Sequence, residues 1–230
     1  MKRIEVLDVW RSLAILLMMA YHLIYDLYMF DVISYETLSS AWAYSLRYLA
    51  VGSFLVISGA VVRFSRDSIR RGVIVFACGI GVTVVMRVAV GEDVQFGVLH
   101  LLGTMMIAYG LISEKVKAPK GIWFPLLLIV LFAVTYHICY TTWIDARWLY
   151  PIGLRYKGFV SADYYPLLPW GLLFGIGVWL GGLIDRHRDL PILNLPCHRA
   201  LTFLGRHSLI VYLAHQPIIY GICLLLFGRE

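Results

Sequence analysis

The sequence predicts an all-α, polytopic membrane bundle of about seven transmembrane helices with a cytoplasmic N-terminus, and three observations predict it. Of 230 residues, 60% are hydrophobic and only 15% are charged, with a mean hydropathy of +0.78, far from the balance of a soluble domain. Apolar runs of about 20 residues, long enough to cross ~30 Å of hydrocarbon, recur along the chain. The connections are mostly short and no polar segment is long enough to fold alone, so residues 1–230 read as one membrane domain.

The expected spans are 8–29, 41–62, 72–90, 96–113, 122–141, 166–184 and 207–227. The first is too long for a cleaved signal peptide and lacks a small-residue cleavage site, so it reads as a retained span. The second carries Arg47 toward its outer end, and Arg87 closes the third on the same side. His100 lies five residues into the fourth span, and His137 sits near the outer end of the fifth. Residues 142–165, rich in aromatics, form the one long loop; such a segment commonly has a function. Trp143, Trp148, Tyr156 and Tyr164 would present flat faces there, either as an interfacial belt or as a platform for a sugar or lipid headgroup. In the seventh span Pro217, preceded by His215 and Gln216, frees a backbone carbonyl that needs another partner. That weights His215 toward packing.

Orientation follows from the loop cations. Lys2, Arg3, Arg63, Arg66, Arg70, Arg71, Lys115, Lys117, Lys120, Arg186, Arg188, Arg199 and Arg206 fall on one side. Arg147, Arg155, Lys157 and Arg229 fall on the other, beside Asp31, Glu36, Glu92 and Asp93. The N-terminus is therefore placed inside and the C-terminus outside. The net charge of +6 is then a topology signal that favours anionic lipid headgroups over nucleic acid. Cys78, Cys139, Cys197 and Cys223 show no metal-ligand spacing, and no metal site is expected. Cys139 and Cys223 both lie toward the outer side, where a disulfide is conceivable but has no other support.

The first span, DVWRSLAILLMMAYHLIYDL, holds Asp8, Arg11, His22 and Asp26. At ~100° per residue, Arg11 and His22 come within about 20° of one face, ~16 Å apart along the axis. Asp8 shares that stripe, and Asp26 lies one turn beyond His22. A histidine with a carboxylate one turn away suits general-base work, because the carboxylate orients the ring and stabilises the imidazolium. The bland reading is that Asp8 and Arg11 form a boundary ion pair while His22 and Asp26 bond neighbouring helices. For His22 and Asp26 the cost of ionisable groups at membrane depth favours function. Arg87, Arg47, His100 and His215 are further candidates to line the same site.

Several segments resemble the catalytic domains of the heparan-α-glucosaminide N-acetyltransferase family: the first span, FLVISGAVV, VQFGVLHLLGTMMIAYG, ADYYPLLPWGLLFGIGVWLG and LGRHSLIVYLAHQPII, in family order. Arg11 and His22, ten residues between them, also resemble the Arg and His hallmark of the wider transmembrane acyltransferase superfamily. The resemblance implies acetyl (acyl) transfer from cytoplasmic acetyl-CoA to an amino or hydroxyl group of an acceptor, a sugar or lipid-linked molecule, reached from the outer side of the cell membrane. Under it Arg11 and Asp8 would lie at the CoA nucleotide, and His22, oriented by Asp26, would be the base. Lysosomal members carry Asn at the position of His22 and a histidine in the first lumenal loop. The loop FDVISYETLSS has none, so direct transfer is expected rather than an acetyl-histidine intermediate. Membrane lipids are the surrounding partner, and a homodimer is the default oligomer. Two other classes compete: a haem-binding electron-transfer protein using two of His22, His100 and His137, and a transporter or sensor with the stripe as a proton path. Against the latter, the sequence has no inverted repeat.

Overall fold

A computed structural model describes residues 4–113 and 119–228. Lys2, Arg3, Lys115, Lys117 and Arg229, used above to orient the chain, lie outside the described residues. Nine α-helices occur among the described residues: α1 (Glu5–Met29), α2 (Tyr35–Leu38), α3 (Ala41–Val62), α4 (Ser68–Val85), α5 (Val98–Ile112), α6 (Trp123–Thr141), α7 (Leu167–Arg186), α8 (Arg199–Arg206) and α9 (Ser208–Phe227). A π-helical turn, Met86–Val90, extends α4, and short 3₁₀ turns cover Arg147–Leu149 and Pro191–Asn194.

Six helices are long and apolar enough to cross a membrane: α1, α3, α4 with its π turn, α6, α7 and α9. The fourth expected span, 96–113, is the exception. Its helix, α5, has 15 residues, about 22 Å at 1.5 Å each, short of the ~30 Å hydrocarbon core. Its first residues are spent on a capped loop: Phe96 pairs with Tyr164 in an isolated bridge, and Asp163 Oδ2 accepts a hydrogen bond from Val98 N at 3.0 Å.

The chain divides into two compact units. The first comprises residues 1–54 and 188–230, and so holds α1, α2, most of α3, α8 and α9. The apolar run of α1 is inverted relative to a soluble helix: Leu13, Leu16 and Leu23 are exposed, while Asp8, Ser12 and Asp26 are buried. Lipid suits the outer leucines, and the inner face needs polar partners. Helix α1 ends where Asp31 takes a left-handed conformation, φ 55°, which a short polar side chain tolerates. Ser34 then caps α2 by accepting from Thr37 N.

Helix α8 seats against the start of α1. A Cβ at Gly205 would run into the Asp8 backbone carbonyl, so only glycine allows this approach. Ser12 Oγ donates to the Leu201 carbonyl, and Glu5 Oε2 accepts from Cys197 N at 3.3 Å. Helix α9 follows after His207, with Phe30 against Tyr220 (5.3 Å between ring centroids) joining its second half to the end of α1.

The second unit, residues 55–187, is built on close glycine crossings. A Cβ on Gly59 would strike the Phe174 carbonyl, and Cβ atoms on Gly177 and Gly181 would strike the Val56 and Ala60 carbonyls, so α3 and α7 approach backbone to backbone. Gly177 and Gly181 form a small-xxx-small pair, the device by which membrane helices maximise dispersion contact without a hydrophobic driving force. Gly72 and Gly103 do the same between α4 and α5.

Loop 142–165 is ordered rather than structureless. Arg155 donates to the Tyr140 carbonyl at 2.8 Å and lies over the Tyr140 and Trp143 rings, 5.0 and 4.6 Å from their centroids. Gln95 Nε2 donates to the Val160 carbonyl at 3.1 Å, and Ala162 N to the Asp93 carbonyl at 2.9 Å. The aromatic run supplies rings for these contacts, so it folds as a small packed cap on its own unit.

Candidate functional site

Asp8, Arg11, His22 and Asp26 of α1 meet two different neighbours, both in the first unit. At the start of the helix, Asp8 is 4% exposed and its Oδ2 lies 3.7 Å from Arg206 Nε. Glu5 Oε1 lies 3.8 Å from Arg206 Nη2. Arg11 Nη1 donates to the Gly205 carbonyl at 3.2 Å, an acceptor that the ending helix α8 leaves without an intrahelical donor. Cations at a helix C-terminus are favourable for the same reason. Asp8 and Arg11 thus hold α8 in place, and Arg11 stays half-buried at the edge of that contact.

Farther along, His22 and Asp26 meet α9. The His22 ring lies 4.9 Å from the His215 ring, edge to face at 66°. Asp26 is 1% exposed, and its Oδ1 accepts a hydrogen bond from Gln216 Nε2 at 2.8 Å. Its Oδ2 is buried with no hydrogen-bond partner, as are His215 Nε2 and Gln216 Oε1. The Asp26 carboxylate therefore bonds α9 rather than the His22 ring. From α3, Arg47 lies 5.8 Å from the Tyr21 ring centroid, and Tyr21 in turn packs edge-on against His22 at 6.0 Å. Tyr212 stacks on Phe54 at 6.0 Å and accepts through its backbone carbonyl from His215 Nδ1 at 2.5 Å. That carbonyl is one residue before Leu213, whose own carbonyl loses its helical donor at Pro217.

A run of buried acceptors in the membrane interior is costly unless something donates to them. The arrangement can receive a proton, a hydroxyl or an amine. Sequence reasoning paired His22 with Asp26 and named His215 for the same site, but missed Gln216 as the partner of Asp26, because it offered His215 or Gln216 to the proline-freed carbonyl. The signal was present in the adjacency of His215 and Gln216, two polar residues on a span otherwise apolar.

The remaining candidates lie in the second unit. Arg87 is an exposed side chain whose Nε sits 3.6 Å from Asp93 Oδ1, an ion pair within the second unit. His100 is 6% exposed, with Nδ1 accepting from Gly97 N at 3.3 Å and Phe76 and Phe96 enclosing the ring. It caps the start of α5. Trp148 is 75% exposed on its 3₁₀ turn. Tyr164 donates to the Tyr150 carbonyl at 2.7 Å, with Phe159 packed on its ring at 4.6 Å. Burial pushes its phenol above the ordinary range, with smaller contributions from the neighbouring tyrosines. That leaves Trp148, not Tyr164, with a free face. All four cysteines are free thiols.

Six helices long and apolar enough to cross a membrane, and in the first unit buried carboxylates and a histidine pair on the inner face of α1 and α9, define a polytopic membrane protein with a polar site. The family model described as heparan-alpha-glucosaminide N-acetyltransferase, catalytic, matches residues 3–217. The chain belongs to that family and is, in general terms, a membrane acetyltransferase. No curated protein and no solved structure matches it.

Proposed function

We propose that the protein transfers an acetyl group from acetyl-CoA, bound from the cytoplasmic side, to an amine or hydroxyl of an acceptor, a sugar or lipid-linked molecule, reached from the outer side of the cell membrane. The observation that carries this reading is the polar stripe of α1, which runs from the Arg11 and Asp8 contacts with α8 to the contacts of half-buried His22 and buried Asp26 with α9. Its length, ~16 Å from Arg11 to His22, suits a pantetheine arm whose nucleotide remains near cytoplasmic arginines and whose thioester reaches His22. The membrane orientation rests on the cation bias of the loops. The two units act as one domain on this reading, with α3 contributing to both.

Arg11, and Arg206 behind it, supply positive charge for the nucleotide phosphates; Asp8 holds Arg206 and so positions α8. His22 takes the proton as the acceptor attacks the thioester carbonyl. Asp26, fixed by Gln216, supplies the negative charge that an imidazolium in a low-dielectric site requires. Acetyl-CoA binding to the detergent-purified protein, measured by calorimetry, tests the reading without knowledge of the acceptor. Wild type binds, Arg11→Ala binds at least tenfold more weakly, and His22→Ala binds within threefold of wild type. Folded wild type without acetyl-CoA binding would sink the proposal.

A further inference from the structure

The side chain facing His22 is itself a base held in one tautomer. A carbonyl oxygen only accepts, so the 2.5 Å contact between His215 Nδ1 and the Tyr212 carbonyl requires the proton on Nδ1. In the neutral ring the lone pair is then on Nε2, and that atom is buried with no hydrogen-bond partner. His215 is 4% exposed, and its ring stands edge to face with that of His22 at 4.9 Å. An unpartnered, buried, unprotonated nitrogen costs stability, and a side chain that only packed or donated to the Tyr212 carbonyl would not need one. The groups around the pair are Asp26 and Tyr21 from α1, Arg47 from α3, and Tyr212 and Gln216 from α9.

We propose that His215 is a proton-relay residue acting through His22, its Nε2 receiving the proton that His22 takes from the acceptor once the charged His22 ring, 4.9 Å away between centroids and not hydrogen-bonded to Nε2 in this structure, turns a ring N–H toward it. This rests on the acetyl-transfer reading above. The acceptor N–H or O–H bond breaks as its nitrogen or oxygen bonds to the thioester carbonyl carbon. The C–S bond then breaks with its electron pair left on sulfur. The proton passes from the acceptor to His22, on to His215 Nε2, and back by the same path to the thiolate, giving the CoA thiol. Gln216 holds Asp26 by its 2.8 Å hydrogen bond, a carboxylate one helical turn from His22 along α1.

The first test is spectroscopic and needs no turnover. Wild-type protein in nanodiscs, labelled with ¹⁵N in histidine and ¹³C in the tyrosine carbonyl, identifies His215 by coupling of its Nδ1 to the Tyr212 carbonyl carbon. The expected result is a protonated Nδ1 and a bare Nε2; a proton on Nε2 in the neutral ring overturns the proposal. The second test follows CoA release with acetyl-CoA and glucosamine as the probe pair. His215→Asn keeps a donor for the Tyr212 carbonyl but has no base. It is expected to lower kcat tenfold to a hundredfold, leave KM for acetyl-CoA within twofold, and turn a curved dependence of rate on D₂O fraction into a straight one. His215→Gln serves if the Asn variant fails to fold. A kcat within threefold of wild type, or a loss of kcat with the D₂O dependence unchanged, overturns the relay. Failure of acetyl-CoA to bind would instead count against the acetyl-transfer reading, and the tautomer result would stand apart from it.

Discussion

At the scale of single residues, the inner face of α1 obeys one rule: each ionisable group has a specific polar partner on a helix from the far end of the chain. Gln216 gives Asp26 its hydrogen bond, and losing one partner of such a buried pair costs about 1–3 kcal/mol, whereas replacing both by apolar groups is nearly neutral. Gln216→Leu is therefore expected to lower thermal stability in detergent, and Asp26→Leu with Gln216→Leu to recover most of that loss. A double variant no more stable than Gln216→Leu alone would mean the hydrogen bond contributes little. Tyr164 gives a pH prediction. Its folded-state pKa is raised, so the stability it contributes is complete below the unfolded value of about 10 and falls as pH rises above it. Melting temperature should drop above about pH 10, and less steeply in Tyr164→Phe; equal slopes would refute the assignment.

Element by element, close approach is decided by where a side chain is absent. Gly205 lets α8 lie on the Asp8 backbone, and Gly177 and Gly181 let α7 lie on α3. A bulky residue at either place must push two backbones apart, at a cost of about 1–3 kcal/mol or more. Gly205→Val is expected to weaken acetyl-CoA binding by moving Arg11 and Arg206, while Gly177→Leu is expected to lower stability without a selective effect on that site. Calorimetry beside thermal melting of each variant separates the two, and equal binding losses at equal stability would remove α8 from the proposed CoA track. The seven apolar runs were all legible from the sequence, because length and hydropathy are local quantities. The length of α5 was not: Asp163, from a distant loop, caps Val98 and so fixes its start, and His100 turns inward to cap Gly97. The order of loop 142–165 escaped for a related reason, since Arg155 and Gln95 hold it through contacts remote in sequence.

Across the whole molecule, the cation bias of the loops predicts sidedness. In a variant stripped of the four natural cysteines, Asp189→Cys should react with an impermeant maleimide only from the inside and Lys157→Cys only from the outside. Labelling of both from one side would overturn the orientation, and with it the direction of acetyl transfer. The sequence by itself determined that the chain is a helical membrane protein, that Asp8, Arg11, His22 and Asp26 share a helical stripe, and that its motifs resemble one acetyltransferase family. Hydropathy, charge and the ~100° step between residues are properties of neighbours in the chain. Only the tertiary structure decided which partners those residues take: Arg206 and Gly205 for the first pair, His215 and Gln216 for the second. Those contacts join residues roughly two hundred positions apart, and helix packing that depends on glycine gaps and buried hydrogen bonds leaves no periodic trace in a single span.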